Sequence, residues 1–193
     1  MGVRRLLVKD REIVSADGSR ARSAFVYCPA EKASVDVARC KACAMAQEVT
    51  AGEVLCTPVT ERSAPEETPA GSAAGAQILC VHADVPCQML VSVAPREPWS
   101  VPVVDDQARF LGFVASRQLA PPPRIRRPTV LDSIPARDLT SGTVLAIHEC
   151  TTVRAALRLM AHRSTRVLAL VDDEGVLRGA LSDIEALGAL RRR

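Results

Sequence analysis

The 193-residue chain is 48% hydrophobic and 24% charged, enough apolar material for one domain or two small ones and too much for a disordered chain. A net charge of +3 with 3% aromatic residues leaves little to stack on bases, so reading of single-stranded nucleic acid is disfavoured. No apolar run approaches the ~20 residues that span a bilayer; the opening MGVRRLLVKDREIV turns to charge after a short apolar patch and reads as the start of a mature cytoplasmic protein, with Leu6 where a myristoylation signal wants Ser or Thr.

Residues 1–57 form a small β-rich segment: RRLLV is a first strand, SADGS a turn, SAFVY a second strand running into Cys28, and EVLC a last one ending at Cys56. It holds four of the seven cysteines, and an odd total without a signal peptide argues against a disulfide framework and for metal, redox chemistry or plain burial. Cys28, Cys40, Cys43 and Cys56 give the spacing C-x11-C-x2-C-x12-C. A C-x-x-C turn can set two thiolates on one metal, and two cysteines from flanking strands can complete the tetrahedral set of structural zinc. A segment of this size with few large apolar side chains has reason to use such a staple. The pattern resembles a zinc-ribbon-like knuckle, with a single C-x-x-C where ribbons usually have two. Two other readings stay open: an iron–sulfur or redox dithiol role, although Lys41 and Ala42 do not open a βαβ unit, and four small buried hydrophobes. Cys80, Cys87 and Cys150 read as core or near-surface thiols.

Residues 58–76, rich in Pro, Glu, Ser, Ala and Gly, read as a linker, flexible or loosely extended. Beyond it lies a duplication. VPVVDDQARFLGFVASRQL at 101–119 lies without a gap over LALVDDEGVLRGALSDIEA at 168–186, an offset of 67 residues that sets Val104 on Val171, Asp105 on Asp172, Asp106 on Asp173 and Gly112 on Gly179. The same offset sets Leu90 on Leu157 and Ala94 on Ala161. The copies are 77–120 and 129–193, joined by a stiff basic Pro-rich segment at 121–128, and two copies imply two similar lobes rather than a solenoid. In the second copy VLAIH is a strand, and Val153, Ala156, Leu157 and Met160 line one face of a helix capped by Thr151 or Thr152. RVLALV and VLRGAL are strands joined by a turn in which Gly175 takes positive φ. SDIEALGALRRR closes as a helix with arginines at its C-terminal end. In the first copy Asp84 can cap a helix running through Val93, with Pro86 in its first turn.

These residues resemble the tandem CBS (cystathionine β-synthase) domain family over roughly 77–190, with ALRLMAHRSTRVLALVDDEGVLRGALSDIEAL at 156–187 the more specific copy. The resemblance implies an α/β (α+β) pair of strand-helix-strand-strand-helix units with two clefts that in the family often bind adenine nucleotides or S-adenosylmethionine and regulate something attached. It also implies a homodimer. Family sites carry a Gly-x-x-Ser/Thr-x-x-Asp run in which the hydroxyl meets phosphate and the carboxylate holds a ribose diol. The second copy has Gly179, Ser182 and Glu185, and the first has Gly112, Ala115 and Gln118, both polar positions lost. Ser182 and Glu185 have a structural explanation of their own: S-x-x-E before Ile184, Leu187 and Leu190 is a capping box, which by itself accounts for both residues.

His82, His148 and His162 share no ligand spacing, and the paired Asp residues sit in turns, where Asp is favoured for geometry. There is no P-loop, Gly-rich dinucleotide fingerprint or Ser-His-Asp order of interest. The reading is a regulatory or sensory protein that is not an enzyme, with zinc on the four cysteines and an adenine nucleotide at Gly179, Ser182 and Glu185. The alternative is an interaction or nucleic-acid-associated adaptor that makes contact through the zinc-ribbon-like segment and RIRRP at 124–128, with the duplicated pair as dimerisation scaffold.

Overall fold

The computed structural model describes residues 3–57, 67–93, 100–119, 133–140 and 145–191. The N-terminal part of the expected linker, Ala94, the basic segment 121–128 and the last two arginines lie outside the described residues. In chain order the first half carries β1 (Arg4–Val14), β2 (Arg20–Cys28), β3 (Ala33–Asp36), α1 (Val37–Lys41), β4 (Ala46–Val49), β5 (Glu53–Cys56), α2 (Ala70–Ala73), β6 (Gln77–His82) and α3 (Cys87–Val93). The second half carries β7 (Ser100–Val104), β8 (Phe110–Ala115), α4 (Ser116–Leu119), α5 (Ala136–Leu139), β9 (Ala146–His148), α6 (Val153–Arg163), β10 (Val167–Val171), β11 (Leu177–Ser182) and α7 (Asp183–Arg191). They form two compact units, neither continuous in sequence: Met1–Arg11 with Ser23–Ile78 and Ala146–Arg193, and Glu12–Arg22 with Leu79–Leu145.

In the first unit the start of β1 pairs antiparallel with β5, Arg4 opposite Cys56 and Leu7 opposite Glu53. β5 also pairs with β4, and β2 pairs with β3 from Phe25 opposite Asp36 to Cys28 opposite Ala33. The apolar residues of these strands meet in a core of Val8, Val26, Val35, Val54 and Cys56. Val8 and Lys9 are both buried, as are Phe25, Val26 and Tyr27; consecutive residues of a strand face opposite ways, so both faces are covered there. The same unit holds the three-stranded sheet β11-β10-β9, with β10–β11 antiparallel and β9–β10 parallel.

The second unit holds the β1–β2 hairpin tip, where Asp17 Oδ1 accepts the Ser19 N–H at 2.9 Å, and the strands β6, β7 and β8. Val81 and His82 lie parallel to Val103 and Val104, and β7 runs antiparallel to β8. Its core gathers Val14, Val81, Val85, Leu90, Val103, Val114 and Ala136.

Both copies use one plan. Val103 faces Gly112 and Leu170 faces Gly179, and each hairpin has an irregularity one residue later, at Val103/Val104 and Leu170/Val171. The strand upstream is set one residue differently: His82 lies beside Val104 and His148 beside Val171. The offset there is therefore one less than in the hairpins, and Leu90 corresponds to buried Ala156 rather than to Leu157. Each copy also has a short helix ahead of its first strand. In the first unit Ala70 N–H donates to Thr151 O at 2.7 Å, and Val153 N–H to Thr68 O at 2.8 Å. In the second, Cys87 N–H donates to Ile134 O at 2.9 Å and Ala136 N–H to Val85 O at 2.8 Å. Thus α2 joins the body of the second copy, and α5 that of the first.

Two expectations need correction. Residues 70–73 of the expected linker are helical, with Ala70 and Ala74 buried, because small side chains let α2 approach the strand end closely. Asp84 does not cap α3: its carboxylate pairs with Arg137, and the Cys87 amide is satisfied by the Ile134 carbonyl. Of the two threonines expected to cap α6, Thr152 does so, its side chain accepting the Ala155 N–H at 3.2 Å.

The two hairpin turns are built alike. Asp172 Oδ1 accepts the Val176 N–H at 2.8 Å, as Asp105 Oδ1 accepts the Arg109 N–H at 2.9 Å. Gly175 has the positive φ expected of it, +78°, but the corresponding Ala108 is held at +59°, a region that penalises a Cβ. Ala108→Gly is expected to stabilise the protein by about 0.5–1 kcal/mol, read as a rise in the thermal unfolding midpoint; an unchanged or lower midpoint counts against it.

Candidate functional site

A cavity of about 300 Å³ opens in the first unit, lined by β1, β2, α2, the turn after α2, and α7; its polar side chains include Arg5, Lys9, Tyr27 and Glu185. This is the lower end of the size range of small-molecule sites. Lys9, in the middle of β1, is 2% exposed, and its ammonium donates to the Gly71 carbonyl. Burial pulls its pKa down to about 8, against the favourable field of Glu149 and Glu185. Glu149, in the turn after β9, is 1% exposed. Its carboxylate accepts the Ser34 N–H at 2.6 Å and the Ser34 hydroxyl, so β3 supplies the hydrogen bonds that a buried polar group requires.

Tyr27 is 4% exposed, and its hydroxyl has no hydrogen-bond partner among the described residues. Burial, then the charge of Glu149, holds its proton on more firmly than in water. The ring lies flat enough on α2 that a Cβ at Gly71 would come within 2.6 Å of Tyr27 Cδ2, so only glycine admits this approach. Arg5, at the mouth, is mostly exposed and pairs with Glu53 at 3.1 Å. The cavity thus presents two cations, an unsatisfied phenol and one carboxylate over an apolar floor of Leu6 and Val26.

Of the three residues expected to bind a nucleotide, one lines this cavity. Glu185 reaches it while one oxygen, Oε2, accepts the Ser182 N–H at 2.8 Å and the Ser182 hydroxyl at 2.7 Å. The Glu185 N–H donates to Ser182 Oγ at 3.2 Å. This is the capping box, and it leaves Oε1 over Gly75. Gly179 does not line the cavity: it is buried against Leu170, whose Cδ1 would lie 3.1 Å from an added Cβ. Gly179 makes room for the Leu170 side chain in the hairpin.

The four N-terminal cysteines converge at one end of the first unit. Cys28 ends β2, Cys40 lies in α1, Cys43 follows in a turn closed by its N–H on Cys40 O at 3.1 Å, and Cys56 ends β5. Cys56 is in the core, with Cys28 and Cys40 packed against it, while Cys43 is exposed. Burial pushes the Cys40 and Cys56 thiols up, and the neighbouring thiols push further. The closed tetrahedral set expected from the spacing is nevertheless not formed: among the described residues no three His, Cys, Asp or Glu side chains are placed to hold a metal ion. Backbone pairing sets the strand ends, and it brings the thiols near one another without aiming them at a common point.

Lys9, Tyr27 and Glu149 escaped the sequence reading. The available signals were a lysine inside an apolar strand run, LLVKD, and a glutamate between an apolar strand and a helix, AIHEC; nothing local says that they meet.

Residues 136–192 match the sequence profile of the CBS domain. No curated protein matches the chain in sequence. Among solved structures, the chain is similar to the CBS domain of a bacterial CNNM/CorC family Mg2+ transporter in complex with ATP, at 14% identity over 65% of this chain and 89% of that one, TM-score 0.54. It is similar to the cytosolic domain of the Mg2+ channel MgtE in complex with ATP, at 23% identity over 65% of this chain and 50% of that one, TM-score 0.52. A CBS domain pair/ACT domain protein from Thermotoga maritima gives 21% identity over 64% of this chain and 96% of that one, TM-score 0.51. At these identities the likeness is one of fold, a mixed α/β tandem architecture. No helix among the described residues is long and apolar enough to cross a membrane.

The burial of Lys9 has a measurable consequence. With a folded pKa near 8 against 10.5 unfolded, the unfolded chain holds more protons between those values, so the stability due to Lys9 rises with pH in that window. The wild type should therefore gain on Lys9→Met by about 2 kcal/mol between pH 7.5 and pH 10, measured by urea unfolding of both proteins. A difference that stays constant with pH would rule the assignment out.

Proposed function

We propose that this chain, which carries a CBS domain at residues 136–192, is a non-catalytic regulatory protein that binds an adenine nucleotide in the cavity of the first unit. The observation that carries the reading is the buried Lys9 ammonium beside the unpartnered Tyr27 hydroxyl, since a buried donor without a partner favours a ligand that brings an acceptor. Lys9 and Arg5 suit phosphate oxygens. Glu185 Oε1, the oxygen that the cap does not use, suits a ribose hydroxyl, and the apolar lining a base. The ATP complexes of the CNNM/CorC and MgtE domains support the ligand class. Ser182, bonded to Glu185 in the cap, supports the helix start in this reading.

The test is a thermal shift with AMP and with ATP. At a nucleotide concentration about 100-fold above Kd, binding stabilises the native state by about 2.7 kcal/mol. Glu185→Gln and Lys9→Met should each weaken the effect at least about tenfold in Kd. No shift with either nucleotide at millimolar concentration defeats the reading.

The convergence of Cys28, Cys40, Cys43 and Cys56 on one end of this unit supports a structural zinc there, reached by rotation of the thiol side chains. Exposed Ile184 and Leu187 on α7, one turn apart, support a homodimer. One native mass spectrum of the purified protein reads both: one zinc per chain, lost in Cys40→Ser and Cys43→Ser, and a dimer mass. A folded wild type without metal rejects the zinc, and a monomer at micromolar concentration rejects the dimer.

A further inference from the structure

Apart from the cavity, the first unit brings together a thiol, an imidazole and a carboxylate. His148 is the last residue of β9, paired with Val171 of β10; Asp173 lies in the turn after β10, and Cys150 in the turn that leads to α6. His148 Nδ1 is 2.9 Å from Cys150 Sγ and 3.2 Å from the Cys150 backbone nitrogen. A backbone N–H can only donate, so Nδ1 carries the lone pair and the proton of the neutral ring sits on Nε2. Nε2 is 3.0 Å from Asp173 Oδ1. Among the described residues it has no hydrogen-bond partner in line, so the carboxylate acts as a near charge rather than as an acceptor. A base within reach of a nucleophile, with an acid behind the base, is the arrangement that activates a thiol.

The first copy shows what the scaffold looks like without the sulfur. His82 Nε2 is 2.8 Å from Asp106 Oδ1, and the backbone nitrogen two residues on, that of Asp84, donates to His82 Nδ1 at 3.3 Å. The side chain at that place is the Asp84 carboxylate, which is engaged by Arg137. The strand-end histidine and its acid are therefore common to both copies, while the thiol on the lone-pair side belongs to the second alone. Cys150 is exposed, in contrast to buried Cys80 and Cys87.

We propose that Cys150 is a modification site, a nucleophilic thiol that exchanges with small disulfides, with His148 as its base. Cys150 S–H gives its proton to His148 Nδ1 while its sulfur attacks one sulfur of R–S–S–R. The new Cys150–S–S–R bond forms as the old S–S bond breaks, and the departing RS⁻ takes the proton back from the imidazolium. The Cys150 sulfur is oxidised and the leaving sulfur reduced.

The test follows Cys150 in the full-length protein by peptide mass spectrometry. With iodoacetamide at pH 7, Cys150 should be alkylated at least about tenfold faster than glutathione under the same conditions. His148→Gln should bring it to the glutathione rate, and Asp173→Asn, at a position whose side chain is 90% exposed, should lower it several-fold without disturbing the fold. Incubation with oxidised glutathione should leave one glutathionyl group on the Cys150 peptide. A wild-type rate no greater than that of glutathione, rates unchanged in both variants, or no adduct at Cys150 would each overturn the proposal.

Discussion

The first unit is organised around a buried cation. The Lys9 ammonium, almost without solvent, rests on the carbonyl of Gly71 in the field of Glu149 and Glu185. Those four residues come from β1, α2, the turn after β9, and α7, and Ser34 of β3 holds the glutamate in turn. Burying an ammonium is costly unless its partners are close and are themselves hydrogen-bonded. The cluster therefore demands that the N-terminal strands, the short helix and the second copy be assembled together. A polar network of this kind adds little net stability but penalises every arrangement that breaks it.

This constraint changes the meaning of the N-terminal residues. A cysteine-bearing segment of short strands looks self-contained, and it does have its own apolar core of Val8, Val26, Val35 and Val54. Yet β1 and β2 also supply Arg5, Lys9 and Tyr27 to the cavity beside α7. In the proposed function a ligand there is held from both sides: by a carboxylate of the duplicated part and by cations from outside it. The exchange of α2 and α5 between the copies works to the same end, because α2 brings the Gly71 carbonyl and a bare backbone against the Tyr27 ring.

The thiols fall into kinds that composition alone does not separate. Cys80 and Cys87 are packed as small apolar side chains. Four others share the end of β2, α1 and β5, where burial and mutual repulsion keep Cys40 and Cys56 protonated in the absence of a metal. Cys150 stands apart from them because its neighbour is a basic nitrogen rather than sulfur.

Much of the duplicated part was legible in the sequence, for a physical reason: strands and helices announce themselves by apolar period, and the turns by Asp and Gly at positions whose backbone needs them. Asp172 and Gly175 do what their residue types require, and Ser182 with Glu185 forms the cap that S-x-x-E spells. These are interactions within a few residues, so residue type and spacing determine them. The site was not legible in the same way. Lys9, Tyr27, Gly71 and Glu149 are each ordinary in their local context, and their roles arise from encounters across long sequence separations, which depend on strand order and on which copy α2 joins. The one-residue change of offset ahead of α3 and the contact of His148 with Cys150 are of the same kind. Local chemistry determined the elements of this protein; the tertiary structure alone decided which charges are buried together, because burial is a property of the whole assembly and of no segment within it.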